Sequence, residues 1–415
     1  MRTFKQELEL AKAEPRLRIH SFHRYFGKLI PAIPRTAVRL YASSSKDVVL
    51  DPFCGSGTTL VEAKALGRDC IGFDINPLAV LVSRVKTSFH DDEMLNFQLG
   101  KLMYEALRDN GKDAMAEAPF CVNRDHWYRD EVIRDLVVMK RNIEKAVDEP
   151  YREFFRACLS ATNRDVSNSD PKHVFPGYSK RLRKMDANGK RVVDVFQTFE
   201  QKAKSRIRAA YEYAHYCPNS SDVRVEESDA RSLPTDFEQV ALVVMNPPYI
   251  SSIRYLESMK LEMYWLGMLE STEHQSEMDK RGVGTERYGI QEYRYYHRTG
   301  LPNVDELTDR LFSQGEKKMA LTVARYFEDM ERVFAEMARV IRPKGHLVIK
   351  ISNSNVRKIS VPTADLFAGS LTARHGFNLL EQFDDPFVQS RSLLTKRNTY
   401  SGRMDSDFML VLQKT

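Results

Sequence analysis

The chain has 415 residues, and its 63 lysines and arginines outnumber its 57 aspartates and glutamates, which gives a formal net charge of +6. Apolar residues make up 42% of the chain, enough for a packed core, and the length predicts two to three domains. This composition excludes a largely disordered chain. The small basic excess permits nucleic-acid binding without demonstrating it.

The chain contains five cysteines, and they do not show the paired spacing of metal ligands. Their odd number argues against a disulfide framework and predicts a reducing compartment. No apolar run approaches the roughly twenty residues of a membrane-spanning helix, and the N-terminus lacks the apolar core of a signal peptide. We therefore expect a cytoplasmic protein with no membrane partner and no bound metal.

The first predicted strand, residues 48–50, runs into a glycine-containing loop at residues 51–59 (DPFCGSGTT), and a helical pattern follows. A loop of this kind lets backbone amides approach a ligand closely, and nucleotide cofactors are its usual occupants. It lacks the third glycine of a dinucleotide fingerprint and the Gly-Lys-Ser/Thr of a phosphate-binding loop. A cofactor without phosphates therefore fits it better.

The second predicted strand, residues 70–73, ends at Asp74. A carboxylate about twenty residues beyond the first strand is placed to accept hydrogen bonds from a ribose diol. A lone aspartate after a strand can also merely cap a turn. Because the glycine loop precedes it, we interpret Asp74 as a ribose ligand. Cys54 lies inside that loop, and we reject it as a nucleophile.

Residues 91–220 are largely helical in pattern, for example over residues 128–147, and predict a helical insertion lobe between the second and third strands. The lobe carries a basic run. Four of its members are Lys180, Arg181, Arg183 and Lys184. A charge run is usually a solvated helix face. We favour phosphate contact, because the next motif along the chain indicates chemistry on a nucleobase.

The tetrapeptide Asn246-Pro247-Pro248-Tyr249 follows the apolar run 240–245, which predicts a buried strand. An exocyclic amino group on a nucleobase is a poor nucleophile, because its lone pair is conjugated into the ring. The Asn246 side-chain oxygen and the Pro247 carbonyl can accept its hydrogens and draw the nitrogen toward a tetrahedral geometry. Tyr249 offers a flat face to a base pulled out of its stack. Asn-Pro and Pro-Pro pairs are also ordinary turn residues.

A second insertion, at about residues 270–318, interleaves tyrosines with arginines. Arg287, Arg294 and Arg298 are its candidate contacts to nucleic acid, because aromatic and guanidinium groups suit unpaired bases and phosphates. The alternative is a folded loop whose tyrosines pack on the core. The sequence leaves open which of the two insertions recognises a target.

The last part of the chain has the pattern of further core elements. Residues 326–341 are predicted as a helix, 346–351 as a strand, and 377–383 with 408–412 as an antiparallel edge hairpin. The order of all the motifs is that of an unpermuted, doubly wound, mostly parallel α/β sheet. We expect residues 1–90 and 221–415 to form this domain.

Together, residues 51–59, 72–77 and 246–249 resemble the S-adenosylmethionine-dependent amino-methyltransferases that act on DNA. Weaker matches lie at residues 23–31 and 228–234. The resemblance implies a seven-stranded sheet and a catalytic site at Asn246, Pro247, Pro248 and Tyr249. It implies cofactor contacts at Tyr25, Lys28, Pro31, Asp51, Pro52, Phe53, Cys54, Gly55, Gly57, Thr58, Thr59, Asp74, Ile75, Asn76, Asp229 and Ala230.

The same resemblance implies in-line methyl transfer from S-adenosylmethionine to a flipped base in double-stranded DNA, which leaves S-adenosylhomocysteine and forms no covalent enzyme intermediate. In the family, Asn at the first motif position goes mostly with adenine N6. Residues 253–265 resemble members with Ser-Pro-Pro-Tyr, so cytosine N4 stays an alternative. An RNA amino-methyltransferase, a protein-glutamine methyltransferase and a non-catalytic regulator are further alternatives. A cognate restriction or defence nuclease is an expected partner, and the target sequence and oligomeric state are left open.

Overall fold

A computed structural model describes residues 2–88, 91–218, 221–237, 239–250, 254–386 and 406–415. Residue 253, the first of the segment compared with Ser-Pro-Pro-Tyr proteins, lies outside this part. The strands are β1 Val49–Asp51, β2 Cys70–Asp74, β3 Val223–Glu227, β4 Val240–Met245, β5 Ile341–Ile351, β6 Ser354–Val356, β7 Ile359–Val361, β8 Phe377–Pro386 and β9 Ser406–Lys414.

Seven of these strands form one sheet in the order β3-β2-β1-β4-β5-β9-β8. The first five are parallel to one another, whereas β9 is antiparallel to both β5 and β8. The strand order reverses at β1, whose neighbours are β2 and β4. The predicted doubly wound sheet with an antiparallel strand pair is therefore confirmed, with β8 at the edge and β9 one position inside it.

The helices surround this sheet. They are α1 Phe4–Ala11, α2 Ala32–Tyr41, α3 Thr58–Ala65, α4 Pro77–Thr87, α5 Asp92–Arg108, α6 Ala114–Glu117, α7 Arg124–Trp127, α8 Asp130–Ala146, α9 Arg152–Val166, α10 Lys180–Ala187, α11 Val195–Ala214, α12 Tyr255–Trp265, α13 Thr272–Arg281, α14 Pro302–Ser313, α15 Lys317–Val340 and α16 Thr363–Arg374, with a 3-10 turn at Arg18–Ser21.

Strand β4 illustrates why the sheet is covered on both faces. All six of its residues are buried, and successive side chains of a strand point to opposite faces. Leu242 and Val244 join an apolar cluster with α1 to α3, whereas Val243 and Met245 join a second cluster with α14 to α16. A continuous apolar run is therefore what this central strand requires.

Helices α5 to α11 lie between β2 and β3 along the chain, where the sequence predicts a helical lobe. Their apolar side chains form one cluster with α4 and α12, which includes Val82, Leu95, Phe154, Phe199 and Trp265. The Tyr213 hydroxyl on α11 also donates to the Val61 carbonyl on α3 at 2.9 Å. These helices therefore pack directly on the sheet domain, and the domain boundaries stay a prediction.

Two predicted boundaries near the end of the chain were wrong. The helix expected at residues 326–341 begins at Lys317, and β5 begins at Ile341 rather than at His346. Residue Ile341 pairs with Val240 and His346 with Leu242, so the intervening segment bulges out of the ladder. Lys344 has a φ of 64° there. The segment between the predicted helix and the predicted strand is thus a bulge within one strand.

Helix α3 packs closely against Gly72 on β2. A Cβ at this position would lie 2.5 Å from Leu60 Cδ1 and 3.1 Å from Cys54 Cβ. We expect Gly72→Ala to lower the free energy of unfolding by about 1–3 kcal/mol in urea titrations. The control is Gly369→Ala on α16, where the added methyl has no neighbour within 4 Å and should stabilise the protein by about 0.5–1 kcal/mol. Equal effects would contradict this account.

Candidate active site

The predicted motifs converge at the carboxyl ends of β1, β2 and β4. Asp51 ends β1, Asp74 ends β2, and Asn246 follows β4 directly. Because these strands are parallel neighbours, their carboxyl ends meet at one edge of the sheet, at the point where the strand order reverses. A cleft of about 600 Å³ opens there and is lined by all three residues.

The glycine loop forms one wall of the cleft. Gly55 and Gly57 have φ angles of 51° and 71°, which L-residues adopt only with strain. A Cβ on Gly55 would lie 3.0 Å from a ring carbon of Tyr25, and one on Gly57 would lie 2.8 Å from the Ser83 hydroxyl. The loop therefore needs glycine at both positions for conformation and for space.

Asp74 lies beneath the loop and is held by backbone amides. Its carboxylate accepts hydrogen bonds from Gly55 N and Asn76 N, both at 2.9 Å. Burial raises the pKa of Asp74 to about 6. Each carboxylate oxygen keeps a second lone pair, so the side chain can also accept from a ribose diol. Asn76 itself caps α4 by accepting from Leu78 N at 3.0 Å.

Asp51 is the second acid in the cleft. One of its oxygens accepts from Phe53 N at 3.1 Å, and burial raises the pKa of Asp51 to about 7. Burial likewise raises the pKa of the Cys54 thiol well above its ordinary value. The loop thus offers a carboxylate that can bind an amino group, and its cysteine is an unreactive neutral thiol.

Lys28 places a cation in the same cleft. Its ammonium donates to the carbonyls of His20 at 3.0 Å and His23 at 2.7 Å, and burial lowers the pKa of Lys28 to about 8. An ammonium has three N–H donors. Two are used by these carbonyls, and the third can bind an anionic group of a ligand.

Asn246 has its amide orientation fixed by the backbone opposite. Its Nδ2 donates to the Gly27 carbonyl at 2.9 Å, and its Oδ1 accepts from the Tyr249 hydroxyl at 3.0 Å. The bond to Gly27 uses one of the two N–H groups and fixes the orientation of the amide, so the oxygen is the end that can accept a hydrogen bond from a ligand. Pro248 and Tyr249 line the cleft beside it, whereas Pro247 does not.

The cleft collects most of the predicted cofactor residues. Those that line it are Tyr25, Lys28, Asp51, Pro52, Phe53, Cys54, Gly55, Thr58, Asp74, Ile75, Asn76, Asp229 and Ala230. Pro31, Gly57 and Thr59 do not. Pro31 and Gly57 are the N-cap residues of α2 and α3, and Thr59 is fully buried in the first turn of α3. Asp229 forms an ion pair with Arg231 at 2.6 Å, so part of its carboxylate is already engaged within the protein.

Arg287 is the predicted nucleic-acid contact that lines the cleft, and it forms an ion pair with Asp279 at 3.0 Å. The other six positions, Lys180, Arg181, Arg183, Lys184, Arg294 and Arg298, lie outside the cleft lining. Arg181 pairs with the buried Asp170 at 2.9 Å. Part of the basic run is thus neutralised within the protein.

Several residues at the site had no assigned role in the sequence prediction. Phe175, from the loop before α10, lines the cleft, and the Arg254 guanidinium lies 5.7 Å from its ring centre. The rings of Tyr25 and Tyr255 stack 6.1 Å apart. Lys350 donates to the Tyr249 hydroxyl at 3.0 Å. A lysine within the apolar strand β5 was a usable signal, because a buried charge needs a partner.

Residues 16–83, which contain the glycine loop and Asp74, match the family model described as DNA methylase. The chain is also 26% identical over 417 residues to the Type II methyltransferase M.MvaI of Kocuria varians, an alignment that covers 95% of this chain and 90% of that protein. These two matches support the DNA amino-methyltransferase family for this chain. The cofactor of this family is S-adenosylmethionine.

Shorter matches include enzymes of two kinds. The Type II methyltransferase M.MjaII of Methanocaldococcus jannaschii is 36% identical over 86 residues, which are 21% of this chain and 16% of that protein. A tRNA (guanine(10)-N2)-dimethyltransferase of the same organism is 43% identical over 65 residues, 16% of this chain and 18% of that protein. The shorter matches thus include an enzyme named for tRNA as well as enzymes named as Type II methyltransferases.

The cleft residues fit S-adenosylmethionine chemically. Asp74 suits the ribose diol, Asp51 the amino group and Lys28 the carboxylate, while the glycine loop leaves room for close approach. When bound, the cofactor supplies an electrophilic methyl group. Among the residues that the structure describes, no cluster of His, Cys, Asp or Glu could hold a metal ion, and none of the described helices is long and apolar enough to cross a membrane.

The pKa values of the cleft residues predict a bell-shaped pH dependence of cofactor affinity. Below about pH 6–7, protonation of Asp51 and Asp74 removes acceptors, and above about pH 8 Lys28 loses its charge. Calorimetry from pH 5 to 9.5 measures this, with Lys28→Gln as the comparison.

The cofactor's own amino group also titrates at about pH 8, so the difference between wild type and Lys28→Gln isolates the lysine. The affinity gap should be largest near pH 7, at roughly 10- to 150-fold for a charge-assisted hydrogen bond, and close above pH 9. A gap that does not change with pH would contradict the role of Lys28.

Proposed function

We propose that this protein methylates the exocyclic amino group of a flipped base in double-stranded DNA at a specific sequence, with adenine N6 as the target. The orientation of Asn246 carries the proposal. Its Nδ2 is committed to the Gly27 carbonyl, so its oxygen is an acceptor in the cleft that also contains the glycine loop and Asp74. The Asn246 oxygen and the methyl donor would then contact the amino nitrogen of the base from opposite sides.

The proposed reaction needs little from the protein beyond positioning and polarisation. Asn246 Oδ1 accepts one amino hydrogen, which localises the nitrogen lone pair. The Pro247 carbonyl is the proposed acceptor of the other, although Pro247 is buried behind the cleft lining. Tyr249, half-buried on the wall of the cleft, supports the base by stacking. The cofactor groups held by Asp74, Asp51 and Lys28 fix the methyl donor in line with that lone pair.

Cytosine N4 is the second candidate, because it presents an amino group of the same kind and residues 254–265 resemble those of Ser-Pro-Pro-Tyr proteins. RNA is a third, in view of the tRNA enzyme that is 43% identical over 65 residues. The alignment with M.MvaI spans nearly the whole chain, including both insertions, and for this reason DNA is preferred. A cognate restriction nuclease is the partner expected beside a Type II methyltransferase.

The experiment incubates the protein with unmethylated genomic DNA and labelled S-adenosylmethionine, and with stripped transfer RNA in a parallel sample. Mass spectrometry of the digested nucleosides then identifies the product. We expect N6-methyldeoxyadenosine. N4-methyldeoxycytidine would replace adenine by cytosine in the proposal, and label in RNA alone, or no transfer at all, would overturn it.

Asn246→Ala removes the side-chain acceptor. We expect it to lower kcat by at least about 10²–10³-fold, as for loss of one preorganised hydrogen-bonding group, and to leave cofactor affinity nearly unchanged in calorimetry. The matched variant is Asn246→Asp, which keeps an acceptor oxygen but loses the bond to the Gly27 carbonyl. It should retain measurable activity. Undiminished turnover by Asn246→Ala would refute the assignment.

The basic run on α10 is proposed to contact DNA phosphates. Lys180 and Lys184 are exposed one helical turn apart, whereas Arg181 pairs with Asp170. Changing both lysines to Gln should weaken DNA binding on all sequences and lower the slope of log affinity against log salt by about 0.9 per lost contact. Lys46→Gln is the control, because exposed Lys46 precedes β1 at the opposite edge of the sheet. An unchanged slope in the double variant would exclude these contacts.

A further inference from the structure

Three polar side chains lie together in the core behind the catalytic tetrapeptide. Lys350 and Ser352 belong to β5 and the residue after it, and Asp407 belongs to the neighbouring strand β9. Lys350 is only 9% exposed and Asp407 6%, and Ser352 is fully buried. Lys350 forms an ion pair with Asp407, and the Ser352 hydroxyl donates to the same carboxylate.

A buried ion pair is weak grounds for stability, because its desolvation cost often exceeds the attraction between the charges. Apolar residues of the same strand as Asp407, such as Met409 and Leu410 of β9, are completely buried without this cost. The presence of Lys350 and Asp407 at this position is therefore better explained by their contacts with Tyr249 than by stabilisation of the core.

Both charges reach the Tyr249 hydroxyl. Lys350 Nζ donates to this oxygen at 3.0 Å, Asp407 Oδ1 lies 3.3 Å from it, and Asn246 Oδ1 lies 3.0 Å from it. A phenol has one proton, and an ammonium can only donate. The Tyr249 hydroxyl can therefore donate its proton to the Asn246 amide oxygen or to the Asp407 carboxylate, and it is also hydrogen-bonded with Ser352.

This choice bears directly on the proposed chemistry. A hydrogen bond from Tyr249 occupies a lone pair of Asn246 Oδ1 and withdraws electron density from it. The oxygen is then a poorer acceptor for the amino hydrogen of a substrate. The same hydroxyl turned toward Asp407 makes a charge-assisted hydrogen bond, which is the stronger type. It then leaves the amide oxygen to the substrate.

We propose that Lys350 and Asp407 are positioning residues that turn the Tyr249 hydroxyl away from Asn246 when the substrate amine enters. The hydroxyl rotates about its C–O bond, so no covalent bond forms or breaks and no charge moves between residues. Lys350 holds the phenol oxygen in place during this rotation. Asp407 accepts the hydrogen bond, and the proton stays on the Tyr249 oxygen. This inference rests on the proposed amino-methyl transfer.

The test is a double-mutant cycle between Tyr249→Phe and a replacement of the ion pair. Lys350→Met with Asp407→Leu substitutes apolar side chains for both charges. Proteins often fold normally when a buried ion pair is replaced in this way. In the Tyr249 background we expect kcat to fall roughly 10- to 100-fold, with cofactor affinity and KM for DNA nearly unchanged, because the hydroxyl is left on Asn246.

In the Tyr249→Phe background, the same replacement should change kcat by no more than about twofold, since no hydroxyl remains to be moved. A merely structural role of the ion pair would lower kcat equally in both backgrounds, and that result would overturn the inference. The two proposals fail separately. A wild-type protein that transfers no methyl group refutes the proposed function, whereas active wild type with equal losses in both backgrounds refutes the inference alone.

Discussion

The arrangement of the whole site depends on the parallel pairing of β1 with β2 and β4. The registers Val49 with Cys70 and Val49 with Leu242 place three strand ends at one edge of the sheet. A proline follows each strand end within three residues, and these prolines, Pro52, Pro77 and Pro247, restrict the backbone there. The cofactor cleft and the Asn246 amide therefore lie at the same end of the sheet.

Burial then sets the electrostatics of that edge. Asp51, Asp74 and Lys28 all have pKa values displaced toward neutrality by desolvation. A ligand that carries an amino group, a carboxylate and a diol would restore the preference of each residue for its charged form. The cleft therefore favours a zwitterionic nucleoside over a phosphate-bearing one, in agreement with the absence of a phosphate-binding sequence in the glycine loop.

The sequence predicted those features that depend on residues close together in the chain. The glycine loop, Asp74 and the tetrapeptide were predicted because strand ends and tight turns demand particular residues at short range. The bulge after Ile341 was missed, since it depends on the register between β4 and β5. The contacts of Lys350 and Asp407 with Tyr249 join residues far apart in the chain, and a basic run cannot reveal that acids such as Asp170 neutralise part of it.

The proposed reaction requires the methyl donor and the amino group of a flipped base to meet in this cleft. A structure of the protein with target DNA and a cofactor analogue, in which an amine-bearing carbon replaces the methyl sulfonium, measures this directly. We expect the analogue's amine, which takes the place of the methyl group, to lie about 3–3.5 Å from the amino nitrogen of the base. We also expect Asn246 Oδ1 to accept a hydrogen bond from that base nitrogen. A base that stays stacked in the duplex, or an analogue bound away from Asp74, would contradict it.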